Sequence, residues 1–277
     1  MLRTRVITAV VLLAILLPVL YFNNYTAFAV VATVFFGAAI WECFRLFNPE
    51  THNAHVIALV WSAVFAMSVF TGHTNLSFWA ALSVALWIAR FAPSLKIGLP
   101  PLGTPANTVL SLVYAFAVVG CFAAIVDLYS HSPLFLLSVL AIVWVADIGA
   151  YFSGKAFGKH KLAPSISPGK SWEGAIGGGI AVLVLGGLSV QFGGDAFAHT
   201  FAVRVQHTYG WPVLAVVLVL MTAASIVGDL FESQLKRRAG MKDSSNLLPG
   251  HGGVLDRIDA LIPALPLAVV LDLAMRV

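Results

Sequence analysis

Five carboxylates and five cations crowd one segment near the end of the chain, SIVGDLFESQLKRRAGMKDSSNLLPGHGGVLDRIDAL. The acids are Asp229, Glu232, Asp243, Asp256 and Asp259; the bases are Lys236, Arg237, Arg238, Lys242 and Arg257. Asp229, Glu232 and Lys236 are three and four residues apart, so a helix presents all three on one face. Asp256 and Asp259 share a face likewise where the chain entering the last apolar stretch is helical. Carboxylates at this density repel one another unless a cation or a basic partner compensates. Hard oxygen donors suit Mg²⁺, which takes one or two carboxylates together with substrate phosphates. Gly250, Gly252 and Gly253 around His251 let backbone amides approach a ligand closely. His251 itself reads equally as a phosphate contact, a proton carrier or the cap of its turn. Basic residues beside a membrane helix often only set topology and touch anionic headgroups. That reading suits Arg238 alone, but topology requires neither carboxylates nor a PGHGG turn.

A second polar segment lies upstream, ADIGAYFSGKAFGKHKLAPSISPGKSWEG. Its Asp147 falls within an apolar stretch, near the inner end, and an ionisable residue inside a membrane span is a functional candidate by default. Asp147 and Tyr151 share a helix face at i, i+4. Lys155, Lys159 and Lys170 with Ser165, Ser167 and Ser171 make a bed for a triphosphate. The stretch is not a Walker loop. Pro164 stands where that motif needs glycine, and no buried strand precedes it.

These segments are positioned by apolar helices. Of 277 residues, 60% are hydrophobic and 10% charged, with mean hydropathy +0.92. Soluble domains carry about 25% charged residues, so this chain lacks the surface that water requires. Nine stretches approach the length of a membrane helix: 6–22, 27–44, 56–71, 77–92, 108–127, 134–152, 174–190, 211–230 and 260–275. The period-two alternation of a membrane β-barrel is absent. The fold expected is therefore all-α and polytopic, one integral domain over residues 1–277, with catalytic segments 147–174 and 229–259 in its loops.

When the loops are placed alternately, fourteen of the sixteen Lys and Arg residues fall on one side, beginning with Arg3 and Arg5. Only Arg204 and Arg276 fall on the other. The positive-inside rule makes the crowded side cytoplasmic, so the topology expected is N-in and C-out. The first stretch, preceded by Arg3 and Arg5, resembles a signal peptide but is long enough to span, and a second span follows at once; a retained helix is expected. Both cysteines, Cys43 and Cys121, lie in apolar stretches and are expected to be buried thiols. Glu42 and Arg45, three apart near an inner interface, are expected to pair with one another. Asp127 and Asp272 are expected near outer helix ends, where solvation is easy. Gly174 and Gly178 have the small-xxx-small spacing of helix packing.

The residues also carry a resemblance. Ser233-Gln-Leu-Lys236-Arg237, then Lys242-Asp243, then Pro249-Gly-His251-Gly252-Gly253-Val-Leu-Asp256-Arg257-Ile-Asp259 resembles, over about 27 residues without a gap, the signature of the phosphatidate cytidylyltransferases. The upstream Ser165-Ile-Ser167-Pro168-Gly-Lys170-Ser171-Trp-Glu173-Gly174 is similar to that family too. The resemblance implies CTP and phosphatidate as substrates, CDP-diacylglycerol and pyrophosphate as products, a divalent metal, a place for a monovalent cation, and a homodimer. By position it implies Asp243, Asp256 and Asp259, with Asp229 upstream, as the acidic residues of the site. Lys236, Arg237, Lys242 and Arg257 are its bases. Asp229, Asp256 and Asp259 are the expected Mg²⁺ ligands, with Asp147 beside them. The implied setting is an inner membrane with the site facing the cytoplasm; nothing points to nucleic acid.

Two neighbouring enzyme classes and one distant class compete. A CDP-alcohol phosphotransferase clusters aspartates too, but with Gly after the first Asp and longer spacing. A related lipid kinase differs in taking ATP. A transporter places its charges near the bilayer midplane in repeated halves, whereas this chain shows no repeat and gathers its charges at one interface.

Overall fold

Small polar residues followed by proline set where several helices begin. In the computed structural model, which describes residues 2–72 and 75–276, Thr104 and Ser132 cap helices whose first residue is Pro105 or Pro133, accepting from the amides of Asn107 and Phe135. The side chains of residues 2, 3, 5 and 276 lie outside the described part, among them the terminal arginines of the charge asymmetry. The helices run α1 (Leu2–Tyr21), α2 (Tyr25–Phe47), α3 (Ala54–Thr71), α4 (Leu76–Leu86), a π turn (Trp87–Phe91), α5 (Ala92–Ile97), α6 (Pro105–His131) and α7 (Pro133–Phe157). An antiparallel hairpin follows, β1 (Lys161–Ala163) and β2 (Ser167–Ser171). After it come α8 (Trp172–Phe192), α9 (Gly194–Phe197), α10 (Phe201–Arg238), α11 (Leu255–Ile258) and α12 (Leu261–Arg276).

Each of the nine apolar stretches lies largely or wholly on one of these helices. Among the described residues seven helices are long and apolar enough to cross a membrane, counting Leu76–Ile97 as one, and Val6–Tyr21 and Leu261–Met275 are shorter apolar helices. The all-α expectation holds, and one short hairpin is added to it at the end of the bundle. The polar loops are also shorter than the hydropathy suggests. α7 runs on to Phe157 and α10 to Arg238, each beyond the end of its apolar stretch. α10 is broken at Gly210 (φ 82°, ψ 177°), a conformation glycine alone adopts readily, with Pro212 just beyond.

α6 is central, packing on α2, α4, α7 and α12. Tyr114 on α6, Trp87 and Phe91 from the π turn, and Phe231 on α10 form an aromatic knot with centroid separations from 4.9 to 6.4 Å. Each such pair adds about 0.5–1.5 kcal/mol beyond its buried area. The knot holds α10 firmly one residue away from Glu232 and two from Asp229.

The α7–α8 seam is close-packed through glycines. A Cβ built on Gly178 would sit 2.5 Å from the Ala146 carbonyl oxygen, and one on Gly174 would sit 2.9 Å from that of Ala150. The packing role expected for these glycines holds, and the close approach brings Asp147 on α7 beside the start of α8. Gly178→Ala must therefore push the helices apart, at a cost of about 1–3 kcal/mol. A detergent-solution melt is expected to show that loss; a melting temperature equal to the parent's would mean a looser seam.

Candidate active site

Both polar segments meet at one end of the bundle. There Lys170 on β2 pairs with Asp229 on α10 at 2.5 Å, Gln234 Nε2 donates to the Ser94 carbonyl, and Arg238 Nη1 donates to that of Pro100. Arg238 also lies over the Phe47 ring, 5.0 Å from its centroid, so its role is to tie α10 to its neighbours.

Between α7, the hairpin, α8, α10 and the α11–α12 turn lies a cleft of about 490 Å³. Asp147, Asp229, Asp256 and Asp259 line it, joined by Tyr151, Lys155, Lys170 and Ser171. Its remaining walls are small or apolar: Ala146, Ala150, Gly154, Leu162, Gly169, Gly174, Ala175, Thr222 and Ile226. That volume lies within the range of small-molecule sites, about 300–1,000 Å³. Gly228 has no Cβ to fend off the Asp259 carbonyl and Pro263, so the start of α12 lies against α10 and brings Asp259 beside Asp229.

The four aspartates differ in their partners. Asp229 is held by Lys170 and accepts a bond from Ser233 Oγ at 3.3 Å. Asp256 is saturated: Oδ1 accepts from Lys236 Nζ at 2.6 Å, and Oδ2 from the amides of Ser244 and Gly253 and from Ser244 Oγ. Burial alone would raise the Asp256 pKa, but the Lys236 hydrogen bond and those from Gly253 and Ser244 outweigh it and hold the group below its ordinary value. Asp259 goes the other way. Burial first, and Asp229 beside it second, push its pKa up to about 7. Among the described residues no Lys or Arg lies at ion-pair distance from Asp147 or Asp259.

The chemistry of this donor set fits a hard divalent cation. Among the described residues, however, no three His, Cys, Asp or Glu side chains are gathered closely enough to share an ion. The arrangement therefore suits a cation whose remaining ligands come from a bound phosphate, not a closed protein cage.

Most of the other expected site residues do not line the cleft. Lys236 is buried between Glu232 and Asp256, at 2.6 Å from each. Glu173 accepts from the His160 amide and pairs with its ring, on the far side of the hairpin, where Lys159 also lies. Ser171 lines the cleft and also caps α8. Ser165 and Ser167 belong to the hairpin and its turn; Arg237, Lys242 and Asp243 are exposed beyond the cleft. The His251 carbonyl accepts from Arg257 Nε at 2.8 Å, and the amide of His251 closes a turn on Leu248. Gly252, at φ +82°, completes that turn, and a Cβ there would meet the Asp256 carboxylate.

Two expectations outside the cleft are overturned. Glu42 does not pair with Arg45. Its carboxylate is fully buried and turned toward the last polar loop, whose hydroxyl and amide donors surround it; Arg45 stacks over Trp41 at 4.6 Å. Asp272 is not solvated either: it is fully buried and lies 3.4 Å from Arg204, which also meets His131. No pattern in the sequence pointed to either pair, because both join helices distant in the chain.

The model of the cytidylyltransferase family matches residues 3–274. A phosphatidate cytidylyltransferase of Haemophilus influenzae is 39% identical over 96% of this chain and 96% of its own length. That of Pseudomonas aeruginosa is 39% identical over 96% of this chain and 95% of its own. The enzyme of the same name from Helicobacter pylori is 32% identical over 94% and 88%. With its family match spanning nearly every residue and both polar segments facing one cleft, the chain belongs to the cytidylyltransferase family.

Proposed function

We propose that this protein transfers the cytidylyl group of CTP to phosphatidate, giving CDP-diacylglycerol and pyrophosphate. The observation that carries the reading is the cleft, in which four aspartates from three separate elements face two lysines at one end of an apolar bundle. A phosphatidate oxygen forms a bond to the α-phosphorus of CTP, and the α–β anhydride bond breaks as pyrophosphate leaves with the electron pair. Every reactant is anionic, so aligning them and compensating their charge is the chief task. Lys155 and Lys170 hold phosphates; Asp229 and Asp259, with Asp147 near them, hold Mg²⁺. Bound there, the ion supplies positive charge to the attacking and leaving oxygens. Asp256, engaged by Lys236, Ser244 and Gly253, steadies the loop that presents Asp259.

Phosphatidate keeps its tails in the bilayer and its phosphate at the interface, an arrangement consistent with a cleft at the bundle end. The basic residues of that end favour the cytoplasmic side of an inner membrane. A second copy has its natural seat on α8, the least covered of the seven long apolar helices.

The test uses the full chain in phosphatidate-containing nanodiscs with CTP labelled at the α-phosphate. Label is expected in the lipid extract, to fall at least ~100-fold with a chelator and to return with Mg²⁺. Label delivered instead from the γ-phosphate of ATP would make the protein a lipid kinase. Incorporation indifferent to chelation would remove the cation from the reading.

A further inference from the structure

The structure points to a positioning residue more than two hundred positions away from the loop it controls. Glu42, on α2, is fully buried, and neither of its oxygens lacks a donor. Oε1 accepts from Ser245 Oγ at 2.6 Å and from the Val254 amide at 3.0 Å. Oε2 accepts from Ser244 Oγ at 3.0 Å and from the Leu255 amide at 2.7 Å. These donors flank the PGHGG turn on both sides, so one carboxylate closes the loop from 244 to 255. A Cβ on Gly253 would collide with both Glu42 and Ser244, so only glycine lets the loop close this tightly around the carboxylate.

The clamp reaches the cleft through one further contact. Ser244 bridges the two acids, its Oγ lying 3.0 Å from Glu42 Oε2 and 2.9 Å from Asp256 Oδ2, while its amide also donates to Asp256. Val254 and Leu255 enter α11, which carries Asp256 and leads directly into Asp259. A buried carboxylate with no adjacent cation is an expensive feature for an apolar bundle, tolerable only because the Ser245 hydroxyl and the Val254 and Leu255 amides donate to it, while the single Ser244 hydroxyl proton is shared between it and Asp256. α2 itself does not reach the cleft.

We infer that Glu42 is the positioning residue of the site: by holding residues 244–245 and 254–255 together, it fixes the approach of Asp256 and Asp259 to the cleft without touching substrate. The inference rests on the cytidylyltransferase reading for its kinetic consequence, though not for its structural one. Gln in place of Glu42 keeps the shape but offers one acceptor oxygen where two are needed, and turns an amide donor toward donors already present. Asp keeps the charge but falls one methylene short.

The test compares purified full-length Glu42→Gln and Glu42→Asp with the parent, and with Arg45→Gln as a control outside the clamp. Turnover per folded molecule is expected to fall roughly 10- to 100-fold in Glu42→Gln, since a displacement of about 1 Å is enough for that. KM for phosphatidate should stay within about threefold, and Arg45→Gln should match the parent. Hydrogen exchange at the Val254 and Leu255 amides should quicken by at least ~10-fold in Glu42→Gln. If Glu42→Gln does not accumulate, Ser244→Ala and Ser245→Ala, which remove clamp bonds from the loop side, carry the same measurements. Parental turnover per folded molecule, with only a lower melting temperature, would reduce Glu42 to a packing role and overturn the inference. Unchanged exchange at Val254 and Leu255 would overturn it as well. Should the parent itself leave CTP unused, the proposed function fails, and the exchange measurement still decides the clamp.

Discussion

Asp259→Asn is expected to abolish cytidylyl transfer while leaving the protein folded, and even a little harder to melt. The expected loss, on the order of 10²–10³-fold, is the size found when one preorganised electrostatic group is removed from a reacting centre. The direction of the stability change follows from its surroundings. Asp259 lies beside Asp229, and its Oδ1 accepts from the amide of Ala260. Burial and that neighbour push its pKa up to about 7, whereas the unfolded chain ionises such a group near ~3.9. Between those values folding takes up a proton, so stability falls as the pH rises through the window and the full deficit is present above it. A neutral amide removes the deficit. In chelator at pH 8 the variant should melt no lower than the parent, and labelled CTP should stay out of the lipid. A variant with parental turnover would take Asp259 out of the reacting centre. One that turns over poorly because it is unfolded would mean its carboxylate is structural.

Lys236→Met is expected to act through the fold. Its ammonium lies 2.6 Å from both Glu232 and Asp256, Glu232 being fully buried and the lysine side chain only 14% exposed. Without the lysine two carboxylates remain in a site that cannot hydrate them. Breaking a buried pair in this way costs about 3–5 kcal/mol, a large share of a typical domain's stability. Little Lys236→Met protein should accumulate in membranes, and what does should melt far below the parent. Membrane yield and a thermal melt decide it. Should the variant instead fold normally and lose only its affinity for CTP, Lys236 is a phosphate contact, as its place in the signature suggests.

Much of this was legible from residue order alone because the relevant patterns are local. Apolar runs located the helices. The Ser132–Pro133 and Thr104–Pro105 steps are chemical start signals, and the i, i+4 spacing puts Glu232 and Lys236 on one helix face, where they pair. Residues 229–259 and 147–174 could be recognised as polar segments within an apolar chain, and they do meet. What the sequence could not show is partner choice. Glu42 sits three residues from Arg45, a spacing that suggests a pair, but a buried carboxylate goes to the donors that surround it in space. Lys236 reads as a phosphate ligand until Asp256, twenty residues on, takes its second position. The hairpin at 161–171 carries no strand signal in the sequence, because its first strand has only three residues and its second is built of Ser, Pro, Gly and Lys.

The Glu42 clamp has a consequence for how the chain is made. The carboxylate and its first donor, Ser244, are 202 positions apart. At about 5–20 residues per second the ribosome delivers that donor roughly 10–40 s after Glu42 has emerged. For that interval the nascent protein carries an acid whose final partners do not yet exist, while α3 and α6, the main neighbours of α2, are already made. The clamp is thus among the last contacts to form, and a chain cut short before Ser244 leaves the ribosome with none of the donors that Glu42 takes in the finished protein.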